Sequence, residues 1–211
     1  MRVYGLVPAA GRSERFGGAK LLAKWQDREL LGHVLLKLGG ARAAGLVAGT
    51  VVVYRDGDDA VRDLAATYRA SAVAVPPGGE LSLSVRAGLD SLAAHSSGHD
   101  REAALVCLAD QPLLRLDVIR ALVETWSRSP VAAVRPSYRD DPGRPGHPLL
   151  LDRSLWPLAA ELRGDAGFGA LLEARRTPVR TVSVAGANPD VDTPEDLRAL
   201  DAAESGERSP A

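Results

Sequence analysis

Short apolar runs alternate along this chain with longer amphipathic stretches, and that alternation limits the available folds more than any other feature. Residues 2–7, 50–54, 72–75, 103–108, 131–134, 149–151 and 179–184 read as strands. Residues 29–38, 59–70, 81–94, 116–126, 154–162, 168–174 and 194–203 read as helices, the first stopped by Gly39-Gly40. Helix following strand in this way predicts one α/β domain over residues 1–203, with a mainly parallel sheet between two layers of helices. The stretch 137–147 is polar and rich in Pro and Gly, so it reads as an exposed loop. Ser96-Ser97-Gly98 reads as a short surface loop, and residues 204–211 as a disordered tail.

Composition removes several classes of function. A chain of 211 residues buries roughly 70% of its unfolded surface and needs no covalent staple. Its single cysteine, Cys107, lies in an apolar strand, and the N-terminus does not read as a signal peptide; both lead to the expectation of a cytoplasmic protein. No apolar run approaches the roughly 18 residues of a membrane span. With 26 basic and 27 acidic side chains, the net charge of −1 argues against a nucleic-acid binder. Aromatics are only 4% of residues, so an aromatic cage is not expected and Trp25, Trp126 and Trp156 are read as packing. His95 and His99 are four residues apart without a third ligand, which makes a zinc site improbable.

In open α/β sheets, ligands sit beyond the carboxyl ends of the strands, so the loops after Val7, Val75 and Leu108 are the places to search. The first loop carries Ala9, Ala10, Gly11, Ser13, Arg15, Gly17, Gly18 and Lys20. Small residues let backbone N–H groups approach an anion, and Arg15 and Lys20 add positive charge. It is neither of the common nucleotide loops: Lys20 is followed by Leu21, and Gly11 by Arg12-Ser13. On composition alone, a solvated turn is equally open. The second loop, Pro77-Gly78-Gly79-Glu80, enters a helix bearing Ser82, Ser84, Arg86 and Gly88; its serines either contact a ligand or cap the helix. Asp110, in Asp110-Gln111-Pro112, is a candidate magnesium ligand at the end of a buried strand, with capping of the helix near Leu116 as the alternative. Late in the chain, Thr193-Pro194-Glu195-Asp196 is a helix start that leaves Asp192 unexplained.

These motifs together resemble the molybdenum cofactor cytidylyltransferases and molybdopterin-guanylyltransferases, from the first strand to the last helix. The run Ala9-Ala10-Gly11-x-Ser13-x-Arg15-x-Gly17-x-x-Lys20-Leu21-Leu22 is similar to that family's signature. The resemblance implies a Rossmann-like, nucleotide-diphospho-sugar transferase-like fold. It implies that Ala9, Ala10, Gly11 and Ser13 face the base and that Arg15 and Lys20 face the triphosphate, with Arg12 and Lys24 near the phosphates as well. It extends nucleotide binding to Ser82, Ser84, Arg86 and Gly88, although Glu80-Leu81 departs from the family pattern. It makes Asp110 and Asp192 the ligands of Mg2+, with Asp190 as the fallback for the second, and Arg15, Lys20 and Asp110 the catalytic set.

Gly146-His147-Pro148 and Gly164-Asp165-Ala166-Gly167 resemble elements on the acceptor side, where His147 either contacts the second substrate or orders its loop. The implied reaction transfers a nucleoside monophosphate from a nucleoside triphosphate, CTP before GTP, to a phosphorylated acceptor. Molybdopterin is the first choice of acceptor, and a molybdoenzyme or its chaperone a possible partner. The Gly78 segment also resembles methylerythritol-phosphate cytidylyltransferases, which leaves a sugar or polyol phosphate acceptor open, as well as a non-catalytic carrier of nucleotide or cofactor.

Overall fold

The computed structural model describes residues 1–11, 13–78, 80–95 and 101–207. Arg12, Gly79, the 96–98 loop, His99 and residues 208–211, on which some expectations fall, lie outside the described residues. Seven strands form one sheet: β1 (Arg2–Ala9), β4 (Gly49–Arg55), β5 (Ser71–Val75), β6 (Glu102–Val106), β7 (Ala133–Tyr138), β8 (Leu149–Asp152) and β9 (Arg180–Val184). A separate ribbon pairs β2 (Lys24–Trp25) with β3 (Arg28–Glu29). The helices are α1 (Leu30–Ala43), α2 (Asp59–Thr67), α3 (Leu81–Ala94), α4 (Leu116–Arg128), α5 (Phe168–Ala174) and α6 (Pro194–Glu207).

The sheet order is β5-β4-β1-β6-β8-β7-β9. β1 pairs in parallel with β4 and β6, β4 with β5, and β7 with β9. β8 lies between β6 and β7 and runs antiparallel to both. The strand period of two divides neighbouring residues between two cores. Val7, Val52 and Leu105 pack against Leu35, Ile119 and Trp126 of the α1 and α4 layer. Leu6, Val53 and Val106 pack against Leu89, Trp156 and Leu172 on the opposite face. α6 covers a smaller cluster of Trp25, Leu30, Val191 and Leu200. The expected three-layer α/β fold with a mostly parallel sheet is therefore present. Among the described residues, no helix is long and apolar enough to cross a membrane.

Local boundaries depart from expectation for physical reasons. α1 runs through Gly39-Gly40 to Ala43, because Leu38 and Ala41 beside them are fully buried and hold the turn in place. The stop is Gly45, at φ +70°, with its N–H donating to Arg42 and that of Leu46 to Ala41. Gln26 and Asp27 both take positive φ in the turn between β2 and β3, a conformation their identities do not advertise. The expected helix at 154–162 is a 3-10 helix over Arg153–Glu161 that contains Pro157, whose missing N–H disfavours the α form. β7 extends to Tyr138 because β9 pairs along it as far as Val184, so the loop expected from 137 starts later. α6 continues to Glu207, which corrects the expectation that order ends at 203.

Candidate active site

β1 ends at buried Ala9, buried Ala10 follows, and the chain then crosses the carboxyl edge of the sheet. Positive φ at Ser13 and Gly17 bends this loop back, and a 3-10 turn at Lys20–Leu22 directs the Lys20 side chain inward. β6 delivers Asp110 from the neighbouring strand. The backbone carbonyl of Asp110 accepts a hydrogen bond from the Val191 N–H at 3.0 Å, which ties the β6 loop to the segment before α6. At the start of α6 the Asp196 carboxylate accepts from the N–H groups of Asp192 and Thr193, while the Thr193 hydroxyl accepts from the Asp196 N–H. This reciprocal cap fixes the backbone beneath Asp192.

These loops converge on one ammonium. Lys20 Nζ lies 2.6 Å from Asp110 Oδ2 and 3.0 Å from Asp192 Oδ1, and Arg15 Nη1 lies 3.1 Å from Asp192 Oδ2. Burial opposes the charge on Lys20, but Asp110 and then Asp192 outweigh it and raise its pKa. Burial also pushes the Asp110 carboxyl up; Lys20 pulls it back, and the nearby Asp190 charge adds to the push. The two aspartates point at a single cationic position, a donor set suited to a hard divalent ion that completes its shell with phosphate oxygens and water. Asp190, the alternative second ligand, lines the same cleft but is engaged by other groups: it accepts from Gln111 Nε2 at 2.8 Å and pairs with Arg144. The Gln111 side-chain carbonyl in turn accepts from Asn188 at 2.9 Å.

The cluster borders a cleft of about 1000 Å³ that is also lined by Ala9, Ala10, Gly11, Ser13, Ser84 and Asp165. Most of the first-loop candidates are thus brought together with Asp110 and Asp192. Ser82, Arg86 and Gly88 stand apart from the cleft wall. Ser82 does not cap α3: its N–H donates to Gly164 and its hydroxyl to Glu80. Arg86 donates to the Leu162 carbonyl at 3.3 Å, beneath the 3-10 helix. A Cβ on Gly88 would stand 2.1 Å from Leu6 Cδ1, so glycine here permits close approach of helix and sheet.

Several contributors were not evident from sequence. Glu80, a departure from the expected pattern, accepts from the Gly164 N–H at 2.9 Å, and Asp165 accepts from the Leu81 N–H at 3.3 Å. The Gly164–Gly167 turn therefore clasps the start of α3. His147 and Arg144 line an adjoining cavity of about 380 Å³, together with Gln111, Arg135 and Tyr138. Burial, ahead of the positive field of Arg135 and Arg144, pulls the His147 pKa down despite the opposing effect of Asp190. The Tyr138 hydroxyl donates to the His147 carbonyl at 2.8 Å. Cys107 is buried, and burial raises its thiol pKa, so it is inert packing as expected.

Known proteins share this chain's sequence pattern and fold. The model of the MobA-like NTP transferase domain matches residues 5–180. Rv0371c from Mycobacterium tuberculosis H37Rv superposes with a TM-score of 0.78 at 30% identity, covering 95% of this chain and 98% of that one. A second structure of that protein is a complex with manganese, at 28% identity and a TM-score of 0.75 over the same shares of the two chains. Nicotine blue oxidoreductase from Paenarthrobacter nicotinovorans is 27% identical over 94% of this chain and 96% of its own length. A CMP:2-keto-3-deoxy-manno-octonic acid synthetase complexed with CTP shares the fold at 15% identity, with a TM-score of 0.76 over 98% of this chain and 100% of its own.

Proposed function

We propose a specific reaction from the premise that this chain belongs to the MobA-like NTP transferase domain family: transfer of CMP from CTP to a phosphorylated acceptor, with molybdopterin the first candidate and Mg2+ the assisting ion. The observation that carries this reading is the convergence of Lys20, Asp110 and Asp192 in the cleft beside the first loop.

An oxygen of the acceptor phosphate forms a bond to the α-phosphorus of CTP. The bond from that phosphorus to the oxygen bridging the β-phosphate breaks, and its electron pair leaves with pyrophosphate. Lys20 and Arg15 hold the triphosphate and offset the charge that develops on the leaving group. The first-loop backbone at Ala9, Ala10, Gly11 and Ser13 positions the nucleotide, and Ser84 lines the opposite wall. Asp110 and Asp192 would hold the divalent ion, which when bound supplies charge neutralisation and alignment of the phosphate oxygens. No covalent intermediate on the protein is needed. His147 and Arg144 sit on the acceptor side, and a molybdoenzyme or its chaperone would receive the product in the cytoplasm. Ser82, Arg86 and Gly88 support the nucleotide site from behind α3 rather than by direct contact.

The test is pyrophosphate release by the purified protein with Mg2+, across CTP and GTP and across molybdopterin and sugar or polyol phosphates. Release with CTP that depends on molybdopterin supports the full reading. Release with GTP alone overturns the base, and release with a sugar or polyol phosphate alone overturns the acceptor. The name of the nicotine blue oxidoreductase relative favours one second reading, oxidation or reduction of nicotine blue. Catalysed redox turnover of nicotine blue with an added electron donor or acceptor, without pyrophosphate release, would establish it instead.

A further inference from the structure

Lys20 and the two aspartates of the site are engaged with each other. Lys20 Nζ is shared between Asp110 Oδ2 and Asp192 Oδ1 at 2.6 and 3.0 Å, and Arg15 takes the second oxygen of Asp192 at 3.1 Å. Two positive and two negative side chains thus balance without a ligand. Nucleotidyl transfer needs the same groups in other pairings, with the carboxylates on a divalent ion and the ammonium on phosphate oxygens. An ion held by Asp110 Oδ2 and Asp192 Oδ1 takes the place of Lys20 Nζ, and two cations cannot share one position. The pairings seen here and those of the reacting complex exclude one another.

The exchange requires movement of one side chain only. The Lys20 N–H donates to the Gly18 carbonyl, the Lys20 carbonyl accepts from the Ala23 N–H, and Leu21 beside it is buried. The Asp110 carbonyl is held by Val191, and the Asp192 N–H by the Asp196 carboxylate. The free element is the Lys20 side chain, a flexible four-carbon stem at the wall of the 1000 Å³ cleft. Its side chain is 11% exposed, against 22% for Asp110 and 32% for Asp192. A pair this far from water is screened less than a surface pair, so an ion arriving alone meets a strong competitor. A triphosphate acts from the other side: it offers negative charge to Lys20 and Arg15, and it leaves the two carboxylates short of a cation.

We propose that Lys20 is the resident cation of the divalent-ion site and that the triphosphate of the nucleotide draws it out, an ion alone being held off. The inference rests on the nucleotidyl-transfer reading of the cleft and adds to it an order of entry, nucleotide before ion.

Mn2+ binding to nucleotide-free protein, read from the electron paramagnetic resonance signal of the free ion, tests the exclusion. Lys20→Met should bind Mn2+ about 10-fold or more tightly than wild type, within the usual range of coupling between two ligands. Lys20→Gln should behave in the same way, and Lys20→Arg, which keeps the charge, should stay as weak as wild type. Asp110→Asn added to Lys20→Met should lose the ion again, and thermal transitions above the working temperature show that the variants are folded. Calorimetry with CTP and with GTP in EDTA tests the opening: one of them should bind wild type without an ion, and should bind Lys20→Met about 10-fold more weakly. Equal Mn2+ affinity in wild type and Lys20→Met, or binding by neither, overturns the proposal. Mn2+ binding by Lys20→Met that survives Asp110→Asn overturns the choice of ion ligands instead, and with it the reading of the site. Failure of both nucleotides to bind wild type in EDTA, or equal binding by Lys20→Met, overturns the opening by triphosphate.

Discussion

Lys20 bridges Asp110 and Asp192, at 2.6 and 3.0 Å, and so joins the first loop to two segments that lie 90 and 172 residues away in sequence. Removing the ammonium leaves two facing carboxylates with Asp190 behind them. Lys20→Met should cost roughly 1–3 kcal/mol, less than the about 3–5 kcal/mol of a fully buried pair because Asp192 is partly solvated. Chemical denaturation measures the loss, and added Mn2+ should recover part of it by taking the place of the ammonium. A Lys20→Met protein as stable as wild type would contradict the bridge.

Asp110→Ala should reduce pyrophosphate release by about 10²–10³-fold, the scale of losing one electrostatic contact to the reacting phosphates. Asp190→Ala should reduce it less, since that carboxylate is held by Gln111 and Arg144. Steady-state rates at saturating nucleotide for Asp190→Ala and Asp192→Ala decide between these two, and a larger loss in Asp190→Ala would reverse the assignment of Asp192 over Asp190.

Gly88→Ala should destabilise the fold by about 1–3 kcal/mol, because its methyl group enters the space of Leu6. For a chain of this size each kcal/mol lowers Tm by about 2–4 °C. Nucleotide affinity at low temperature should be preserved. Loss of affinity at unchanged Tm would instead indicate contact with the ligand.

Stability should fall on mild acidification through His147. Its folded pKa lies below the unfolded value of about 6.5, so the unfolded chain takes up the proton more readily. The contribution is complete above the unfolded pKa and is lost as pH falls toward the folded one. His147→Gln should flatten that limb of a Tm-against-pH curve; an unchanged slope would show that His147 is not its source.

Two glycine substitutions should act with opposite signs. Gly39→Ala places a methyl group in open space within α1 and should stabilise by about 0.5–1 kcal/mol. Gly45→Ala forces φ +70° on a residue with a Cβ and should destabilise by a similar amount. Thermal melts of the two variants give the test directly.

These glycines also show where the sequence was legible. Strand and helix identities followed from apolar periodicity, since each element buries a face against the sheet, and the α/β class was visible from that alternation. Helix ends were less visible: Gly39-Gly40 resembles a stop, and only the burial of Leu38 and Ala41 carries the helix past it. At the site, the first loop, Asp110 and Asp192 stood out because each lies beyond a strand or before a cap. Glu80, Gln111 and Asn188 did not, because each acts through a partner that chain distance conceals. Glu80 meets Gly164, 84 residues on, and Asn188 meets Gln111, 77 residues back.

The placement of β8 sets an order on assembly during synthesis. β1, β4, β5 and β6 are adjacent in the sheet and complete by Val106, so this half of the sheet has all its strands once half the chain has emerged. β7 follows in sequence but has no place beside β6; it must wait for β8, which ends at Asp152, to be threaded between them. Until then the free edge of β6 is open to any strand that reaches it. The half of the sheet built on β8, β7 and β9 is thus the late-forming half, and slow translation between Ala133 and Asp152 would lengthen the interval in which that edge is exposed to aggregation.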